Sequence, residues 1–600
     1  MIHPNVALLL ALVLALAVPG SALTPSVVGQ PAAPPAAPPQ GVAARVWSET
    51  EAGGSAELLI LLTDQADLRG ASRFATRVEK TRYVVQQLRD VAARTQPPVL
   101  SVIEKAGAPA RGFYIVNAIQ TQGDRALVTA LAARRDVRAI LANPHTANAL
   151  PQPERPIAPD LPEAPSAIEL GLTYVGAPLV WAMGYTGTGI VAGGQDTGYQ
   201  WNHPALIGAY RGWDAASASH DYNWHDAIHS STGACPGNSA APCDDHGHGT
   251  HTMGTVAGWD GASNQIGMAP GAKWIACRNM DQGWGSPATY LECFEFFLAP
   301  YPVGGTPAQG DPDLSPDVTN NSWGCPPAEG CDLNIWDPTV MRLAIEASRA
   351  AGIMTVASAG NSGSACTTVN EPIAMFDAVY SVGAFSASTG NLASFSSRGP
   401  VAIDGSNRMK PDITAPGVSV RSAYPGNSYA SMSGTSMAGP HVAGAVALLW
   451  SAQPLIKGQI DFTEDVLNQT ATHVSVSATC SSDGWPNNVY GYGRLNIAAA
   501  VSAVPTGTAV ITGVVTVASG QPLSDVLVSA VYQTATLQFP AATDATGTYT
   551  LTVIPGTYTV TASSAYYGAL SVPGLGLADA DAVRQDFTFN LRTWLPRVFR

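Results

Sequence analysis

After an apolar N-terminus, the first quarter of the chain contains segments with two kinds of hydrophobic spacing. Some segments have the spacing of strands and others have the spacing of helices. Runs rich in Leu, Ile and Val predict buried strands, and apolar positions three or four residues apart predict helices. The predicted strands span residues 56–62, 112–119 and 137–141, and the predicted helices span residues 71–94 and 124–134. This order predicts a small α+β domain over residues 45–150.

The longest part of the chain, residues 169–503, alternates short apolar strands and helices joined by Gly-containing turns. Such alternation is typical of a parallel sheet covered by helices, so we predict an α/β domain here. One of its strands, residues 190–195, ends at Asp196. A linker rich in Pro and Glu, residues 151–168, separates this domain from the preceding one.

Residues 507–590 lose the helical spacing and become rich in Val, Thr, Gly and Tyr with a period of two. This pattern predicts a small β-sandwich, followed by a tail over residues 591–600.

The N-terminus predicts export. Residues 6–18 form an apolar run too short to span a membrane, and small residues at positions 20–22 are suited to cleavage. We predict a signal peptide over residues 1–22 and a Pro/Ala-rich linker over residues 23–44. Because no Lys or Arg precedes the run, the alternative that the run stays uncleaved and anchors the chain in a membrane remains open. The protein is expected to be secreted or extracellular, with retention at the cell surface as the alternative outcome.

Composition and charge narrow the classes of protein. With 46% hydrophobic residues the chain is not a highly charged disordered chain, and a net charge of −14 without a basic stripe argues against a nucleic-acid partner.

Residues 45–150 hold 14 basic and 10 acidic residues, whereas residues 151–600 hold 16 basic and 34 acidic ones. A basic block before an acidic body predicts attraction between them, unless the difference is compositional drift.

All eight cysteines fall between residues 235 and 480. An even number in one region of an exported chain predicts disulfide bonds. Cys235–Cys243 and Cys325–Cys331 each bracket turn residues and are predicted as local pairs. The other pairings stay open, as does a zinc site, although the chain has no CxxC pair.

Two segments offer an acid and a base. Asp196 at a strand end can be held rigidly in a cleft of an α/β sheet, or it can cap the next segment. In the segment Asp245–Gly258, small residues allow a helix to pack closely and to hold His248 near its start as a general base. His246, His248 and His251 also have the spacing of a metal cluster, so base and metal ligand both stay open.

A third segment, residues 433–444, offers a nucleophile. Gly434 permits a sharp turn, and Ser436 follows it at the head of an apolar helix predicted to run to Trp450. Backbone N–H groups at such a position are unpaired and can face a developing oxyanion. An N-capping role would explain a serine there but not the whole segment.

Together these segments resemble the subtilisin-like serine proteases, the subtilase family, over about residues 170–500. The order Asp, His, Ser is the order found in subtilisin. Further family-like blocks span residues 357–363, 394–400, 410–417 and 491–496, and the block over residues 316–324 resembles the bacillopeptidase F-like branch.

The resemblance implies a subtilisin-like fold and a serine endopeptidase that needs no cofactor for its chemistry. It implies that Ser436 is the nucleophile, that His248 is its base, that Asp196 orients His248, and that Asn361 contributes to the oxyanion hole. The substrate-binding walls of the S1 pocket would be formed by Ser322, Trp323, Gly324, Ala357, Ser358, Ala359 and Gly360.

Two features of the site are less defined by the resemblance. The S1 floor would come from residues 367–372, where Glu371 would favour a basic P1 residue if it faced the pocket. We expect it instead to face solvent.

Structural calcium is common in the family. Asp311, Asp313 and Asp317 offer oxygen ligands, or they belong to a plain solvated loop, so the metal site is unknown.

The flanking segments fit the same resemblance. Residues 45–150 resemble the inhibitory propeptide of subtilases, which the enzyme itself cleaves off, here between residues 142 and 168. Residues 507–590 resemble carboxypeptidase-regulatory-like domains, which would serve substrate attachment, cell-surface or polymer contact, or stabilisation. The expected partners are protein or peptide substrates and the propeptide as an intramolecular inhibitor. A metallohydrolase using the histidine cluster and a non-catalytic adhesin with a protease fold stay open as other classes.

Overall fold

The structure, a computed structural model, describes residues 37–154, 168–231, 233–324, 338–534 and 536–590. From Pro39 onward these residues form one compact unit. The predicted signal peptide, most of both predicted linkers, the predicted Cys325–Cys331 pair and the C-terminal tail lie outside the described residues. A search of the helices in the described part finds none long and apolar enough to cross a membrane.

The N-terminal part is an antiparallel four-stranded sheet with helices against it, in the strand order β2-β3-β1-β4. Its strands are β1 Ser55–Leu62, β2 Ala110–Phe113, β3 Ala118–Asp124 and β4 Val137–Ala142. Its helices are α1 Ala44–Glu49, α2 Arg77–Thr95, α3 Pro97–Lys105 and α4 Arg125–Ala132. Helix α2 begins after Thr76, whose side chain forms a reciprocal capping box with Glu79.

The predicted strand over residues 112–119 is interrupted. Residues 114–117 form a turn, because the backbone N–H groups of Tyr114 and Ile115 donate to the Glu295 carboxylate at 2.6 and 3.2 Å instead of to a neighbouring strand. Helix α3 was not predicted. Its two leading prolines are compatible with the first turn of a helix.

The central part confirms the predicted parallel sheet flanked by helices. Seven parallel strands follow the order β13-β12-β11-β10-β6-β8-β7. The strands are β6 Val191–Asp196, β7 Trp224–Asp226, β8 Lys273–Arg278, β10 Val318–Asn321, β11 Met354–Ser358, β12 Tyr380–Phe385 and β13 Ile413–Pro416. The helices are α5 Leu170–Val175, α6 Ala177–Ala182, α7 His248–Ala257, α8 Pro287–Leu298, α9 Thr339–Ala350, α10 Thr435–Ala452, α11 Ile460–Thr470 and α12 Ile497–Ala503. Short antiparallel pairs join β5 Thr146–Ala147 to β9 Trp284–Gly285, β14 Val420–Tyr424 to β15 Ser428–Met432, and β16 Val476–Thr479 to β17 Ser482–Gly484.

Two buried helices bring the predicted catalytic residues to the carboxyl edge of this sheet. Helix α7 begins at His248, and every one of its residues is buried. Helix α10 is buried from Thr435 to Trp450 and packs against α7 and against strands β10 to β13. Because α10 is built largely of Gly, Ala and Val, it can lie close to both the sheet and α7.

The C-terminal part confirms the predicted β-sandwich. One sheet has the order β21-β18-β24, with β25 also paired to β18, and the other has the order β20-β19-β22-β23. The strands are β18 Ala509–Val517, β19 Leu527–Tyr532, β20 Gln538–Ala542, β21 Thr548–Val553, β22 Gly556–Ser564, β23 Gly568–Leu577, β24 Ala582–Arg584 and β25 Phe587–Phe589. The sandwich packs on the α/β part, where the Tyr532 and Phe462 rings lie 6.0 Å apart and the Gln459 amide donates to the Gln538 carbonyl at 3.2 Å.

Three disulfide bonds lie among the described residues. Cys235–Cys243 was predicted and is confirmed. Cys277–Cys293 joins strand β8 to helix α8, and Cys366–Cys480 joins two loops 114 residues apart in the sequence.

The long-range disulfide is expected to contribute most to stability. Replacing Cys366 and Cys480 together by Ala should lower the free energy of unfolding by about 4 kcal/mol, because the freed loop is long; the same change at Cys235 and Cys243 should cost about 2 kcal/mol. Urea unfolding followed by tryptophan fluorescence tests this, in chains that also carry Ser436→Ala to prevent self-digestion. Equal losses for the two pairs would contradict the expectation.

Candidate active site

Asp196 and His248 form a buried pair. His248 Nδ1 lies 2.7 Å from Asp196 Oδ1, and both side chains are inaccessible to solvent. The backbone N–H of Thr197 donates to the same carboxylate oxygen at 2.8 Å. With the Nδ1 proton donated to the carboxylate, the His248 Nε2 atom is the nitrogen that can accept a proton. Among the described residues this Nε2 atom is buried and has no hydrogen-bond partner.

Asp244, which the sequence analysis did not single out, holds the loop in front of His248. Its Oδ1 accepts from the backbone N–H groups of His246 and Gly247 at 3.1 and 2.7 Å, and its Oδ2 accepts from that of Thr250 at 3.0 Å. It also accepts from the Thr197 hydroxyl at 2.9 Å, which ties this loop to the end of strand β6. An Asp four residues before the start of a Gly-rich helix was the signal available in the sequence.

The other two histidines of the predicted metal cluster have separate partners. His251 Nε2 lies 3.0 Å from the carbonyls of Val420 and Ala430, and burial lowers the pKa of His251 to about 3. His246 Nε2 contacts the Gln152 amide at 2.9 Å. No grouping of three His, Cys, Asp or Glu suited to a metal occurs in the part of the chain that the structure describes. The three histidines therefore each have a different partner, and they form no metal cluster in the described part of the chain.

Ser436 is the second residue of helix α10 and is almost completely buried. Its hydroxyl donates to the Ser322 carbonyl at 3.2 Å, and the Ser322 hydroxyl donates back to the Ser436 carbonyl at 2.9 Å. The structure gives no hydrogen bond from Ser436 to His248. Such bonds are often long or absent before substrate binds, so a rotation of the Ser436 side chain would be needed to form it.

Asn361 lies beside the turn that precedes Ser436. Its Oδ1 atom accepts from the Thr435 backbone N–H at 2.8 Å and from the Thr435 hydroxyl at 2.9 Å. These two bonds fix the orientation of the amide and leave the Nδ2 hydrogens for another acceptor. The Nδ2 atom lies 3.6 Å from the position that a Cβ on Gly434 would take, above the turn. Thr435, which the sequence did not single out, thus orients the Asn361 amide.

The predicted substrate-binding residues lie at the ends of two neighbouring parallel strands. Ser322, Trp323 and Gly324 follow β10, and Ala357 to Gly360 end or follow β11. The Trp323 ring stacks on Tyr290 at 4.0 Å and is buried in the hydrophobic core, so only its backbone can face the cleft. Ala357 and Ala359 are also fully buried.

Glu371 does not face solvent, contrary to our expectation. It is only 6% exposed, and its carboxylate lies between Gly324 and Gly360. A Cβ atom on Gly324 would lie 2.0 Å from Oε2, and one on Gly360 would lie 2.5 Å from Oε1. The carboxylate fits only because both wall positions lack a side chain.

A segment of the chain itself runs through the cleft. Strand β5 pairs with β9, and the Asn148 N–H donates to the Gly283 carbonyl at 2.8 Å. The Asn148 side chain accepts from the Gly324 N–H at 3.2 Å, and the Pro151 ring lies against Gly434. Farther on, the Glu154 N–H donates to the Ser431 carbonyl at 2.9 Å. Residues 149–151 therefore pass the turn that carries Ser436.

The predicted attraction between the basic block and the acidic body takes the form of ion pairs. Arg77 and Asp317 form a buried pair at 2.7 Å, and Arg82 pairs with Asp313 nearer the surface. Asp317 also accepts from the Val191 N–H at 2.8 Å. Asp313 and Asp317 thus form ion pairs with arginines. Asp311 accepts a hydrogen bond from the Asp313 N–H at 2.9 Å. These carboxylates do not fit the calcium site that the sequence suggested.

A second charged contact joins the two parts near helix α8. Arg111 pairs with the buried Glu292, which also contacts His225 and His229 at 2.6 and 3.0 Å. Although burial opposes ionisation, Arg111 and these histidines hold the pKa of Glu292 well below its usual range. Burial raises the pKa of the neighbouring Glu295, which binds Tyr114 and Ile115, to about 7.

Comparison with known proteins identifies the class. Residues 187–493 match the model of the subtilase family, and residues 510–590 match that of the carboxypeptidase regulatory-like domain. The chain is 32% identical to subtilisin DY of Bacillus licheniformis over 336 residues, which cover 56% of this chain and 98% of that protein. The chain belongs to the subtilase family of subtilisin-like serine peptidases.

Two further comparisons bear on its branch and on its fold. The chain is 35% identical to bacillopeptidase F of Bacillus subtilis (strain 168) over 475 residues, which confirms the resemblance to that branch. The match covers 76% of this chain but only 31% of that longer protein. Fervidolysin from Fervidobacterium pennivorans, described as a keratinolytic enzyme related to subtilisin, shares the fold with a TM-score of 0.50 and 20% identity, over 92% of this chain and 81% of that one.

Proposed function

We propose that this protein is a secreted serine endopeptidase that acts through Asp196, His248 and Ser436. The observation that carries the proposal is the buried 2.7 Å contact between His248 and Asp196, at the start of a helix that packs against the helix bearing Ser436. This contact leaves Nε2 as the basic nitrogen, the atom that would deprotonate a serine.

The chemistry follows from these positions. His248 Nε2 takes the proton of Ser436 Oγ as that oxygen attacks the peptide carbonyl, and the Asp196 carboxylate stabilises the imidazolium that forms. The proton then passes to the leaving amine, which departs as the acyl-enzyme forms. Water, deprotonated by His248, hydrolyses the ester and restores Ser436.

The negative charge that develops on the carbonyl oxygen would be held by two donors. One is the Asn361 Nδ2 group, which the Thr435 contacts leave available, and the other is the backbone N–H of Ser436 near the start of α10. Donors fixed in advance stabilise the transition state without reorganising during the reaction.

The protein is further proposed to be made as a zymogen that cuts itself. Residues 146–154 run through the cleft, and residues 45–149 would act as the inhibitory propeptide. We place the cut at Ala149–Leu150, since Asn148 pairs with the cleft edge on one side and Pro151 rests on Gly434 on the other. The Leu150–Pro151 bond is a poorer candidate because its nitrogen carries no hydrogen and belongs to a ring.

Incubation of purified full-length chain tests the proposal. We expect a new N-terminus at Leu150, found by peptide mass spectrometry, followed by hydrolysis of an unrelated unfolded protein. A folded chain that neither cuts itself nor digests other proteins at any pH from 5 to 10 would contradict it.

Arg111 is expected to control how long the cut propeptide stays bound. The change Arg111→Leu leaves the buried Glu292 without its guanidinium, which should speed the appearance of activity after the cut by about 30-fold or more. Arg138→Leu, at an exposed position of the same segment, is the matched control. Equal activation rates for both variants would show that the Arg111–Glu292 pair does not hold the propeptide.

Secretion is supported by the predicted signal peptide and by the three disulfides, which persist in oxidising compartments. The sandwich is proposed to contact a polymer or the cell surface.

A further inference from the structure

The C-terminal sandwich contacts the part of the chain that precedes the proposed cut. A 3₁₀ turn over Arg69–Arg73, which comes just before helix α2, packs against strand β20 of the sandwich. At this junction Phe74, Ile460 of helix α11 and Pro540 of β20 line one cavity of about 560 Å³. Three parts of the chain therefore meet at one place, and the N-terminal part lies on both of the others.

Strand β20 is at the edge of its sheet, and its outer face is covered. The Phe539 ring lies 6.2 Å from Tyr558 in the sandwich core, so the neighbouring side chains of Gln538 and Pro540 point to the opposite face. Pro540 is buried all the same, in the cavity wall that it shares with residues of α11 and of the 3₁₀ turn. Gln538 lines the same cavity but is exposed, so a longer side chain can be placed there.

Helix α2 binds the α/β part directly beside this cavity. The Lys80 ammonium group donates to the Gly458 carbonyl at 3.3 Å. The stem of Arg77 passes so close to Gly458 that a Cβ atom there would lie 2.9 Å from the Arg77 Cβ. Gly458 immediately precedes the segment that begins helix α11. The turn over Arg69–Arg73 thus extends the contact of α2 from the α/β part onto the sandwich.

We infer that the sandwich is part of the binding site for the propeptide, and that strand β20 delays the release of the propeptide after the cut. The inference rests on the proposed zymogen and names a partner for the sandwich, the segment over residues 68–74. A propeptide held by two surfaces leaves more slowly than one held by the α/β part alone, because both contacts have to open before it can diffuse away.

The charge of this segment allows the contact to be changed in either direction. Residues 67–80 hold four basic and two acidic residues, and both Arg69 and Arg73 are exposed on the turn. Gln538 on the facing strand is neutral. A positive charge at position 538 should therefore repel the segment and a negative charge should attract it, and added salt should weaken both effects.

The variants Gln538→Lys and Gln538→Glu test the inference in the full chain. The measured quantity is the delay between the cut, followed by gel electrophoresis, and the appearance of peptidase activity. At low ionic strength we expect the Lys variant to shorten this delay by about threefold and the Glu variant to lengthen it by about threefold. Gln521→Lys and Gln521→Glu, at an exposed turn of the sandwich outside the cavity lining, are the matched controls and should leave the delay unchanged.

Hydrogen exchange gives a second measurement that needs no peptidase activity. It is made on the intact precursor carrying Ser436→Ala, with and without the changes at Gln538. Amides of the turn over Arg69–Arg73 should exchange faster with Gln538→Lys and more slowly with Gln538→Glu, whereas those of strand β1 should not change.

The two measurements separate the possible failures. Equal delays for the two Gln538 variants would overturn the inference while the proposed endopeptidase function stands, whether or not exchange of the turn changes. Opposite changes in exchange, in a protein whose wild-type chain never cuts itself or a substrate, would support the contact between turn and sandwich and contradict the proposed function alone.

Discussion

Replacing Ser436 by Ala is expected to abolish turnover and to leave the chain uncut. Without Oγ there is no nucleophile and no acyl-enzyme, and the remaining rate would come only from the oxyanion donors and from binding. The expected loss in kcat is about 10⁶-fold, a magnitude known from the family member subtilisin rather than derived from this structure. Gel electrophoresis and peptide mass spectrometry would show the full-length precursor persisting.

The matched control is Ser502→Ala, which removes an exposed hydroxyl from helix α12. It should mature and turn over like the wild-type chain. Maturation of the Ser436→Ala chain at the wild-type rate, in the absence of any added protease, would mean that another residue is the nucleophile.

Replacing Asp196 by Asn is expected to lower kcat by about 10⁴-fold with little change in KM. The amide can donate to His248 Nδ1, which favours the tautomer with its proton on Nε2. That tautomer cannot accept the Ser436 proton. Self-cleavage should slow in parallel, since it uses the same groups. Loss of the carboxylate also removes the charge that stabilises the imidazolium.

Asp404→Asn is the control, because Asp404 is a partly exposed carboxylate paired with Arg408 on the surface. A drop of less than about tenfold for Asp196→Asn, with the fold intact by circular dichroism, would contradict the assigned role of the His248–Asp196 contact.

The sequence predicted those elements that depend on local pattern. Strands β1 and β4 lie within one residue of their predicted positions, and helix α10 begins one residue before Ser436. Asp196 and His248, which lie 52 residues apart in the sequence, are in contact.

Features that depend on distant residues could not be predicted. The predicted strand over residues 112–119 is split by a carboxylate on helix α8, about 180 residues away, which draws the Tyr114 and Ile115 N–H groups to itself. The first predicted helix begins later than expected, because residues 69–73 form a separate 3₁₀ turn and Thr76 caps the helix.

Contacts around the site also depend on residues that are distant in the sequence, so they could not be predicted. Glu371 is buried because two glycines more than 30 positions apart come together around it, which no local pattern reveals. The contact of Asn361 with Thr435 and that of Ser436 with Ser322 likewise join separate segments of the chain.

The central claim is that Asp196, His248 and Ser436 form one working unit. The most direct test is to treat matured protein with a fluorophosphonate and to locate the adduct by peptide mass spectrometry. The same treatment is applied to a tagged His248→Ala chain that wild-type enzyme has cut in trans. We predict a single adduct on Ser436 in the wild-type chain and none in the variant. No adduct on folded wild-type chain freed of residues 45–149, or an equal adduct without His248, would contradict the account.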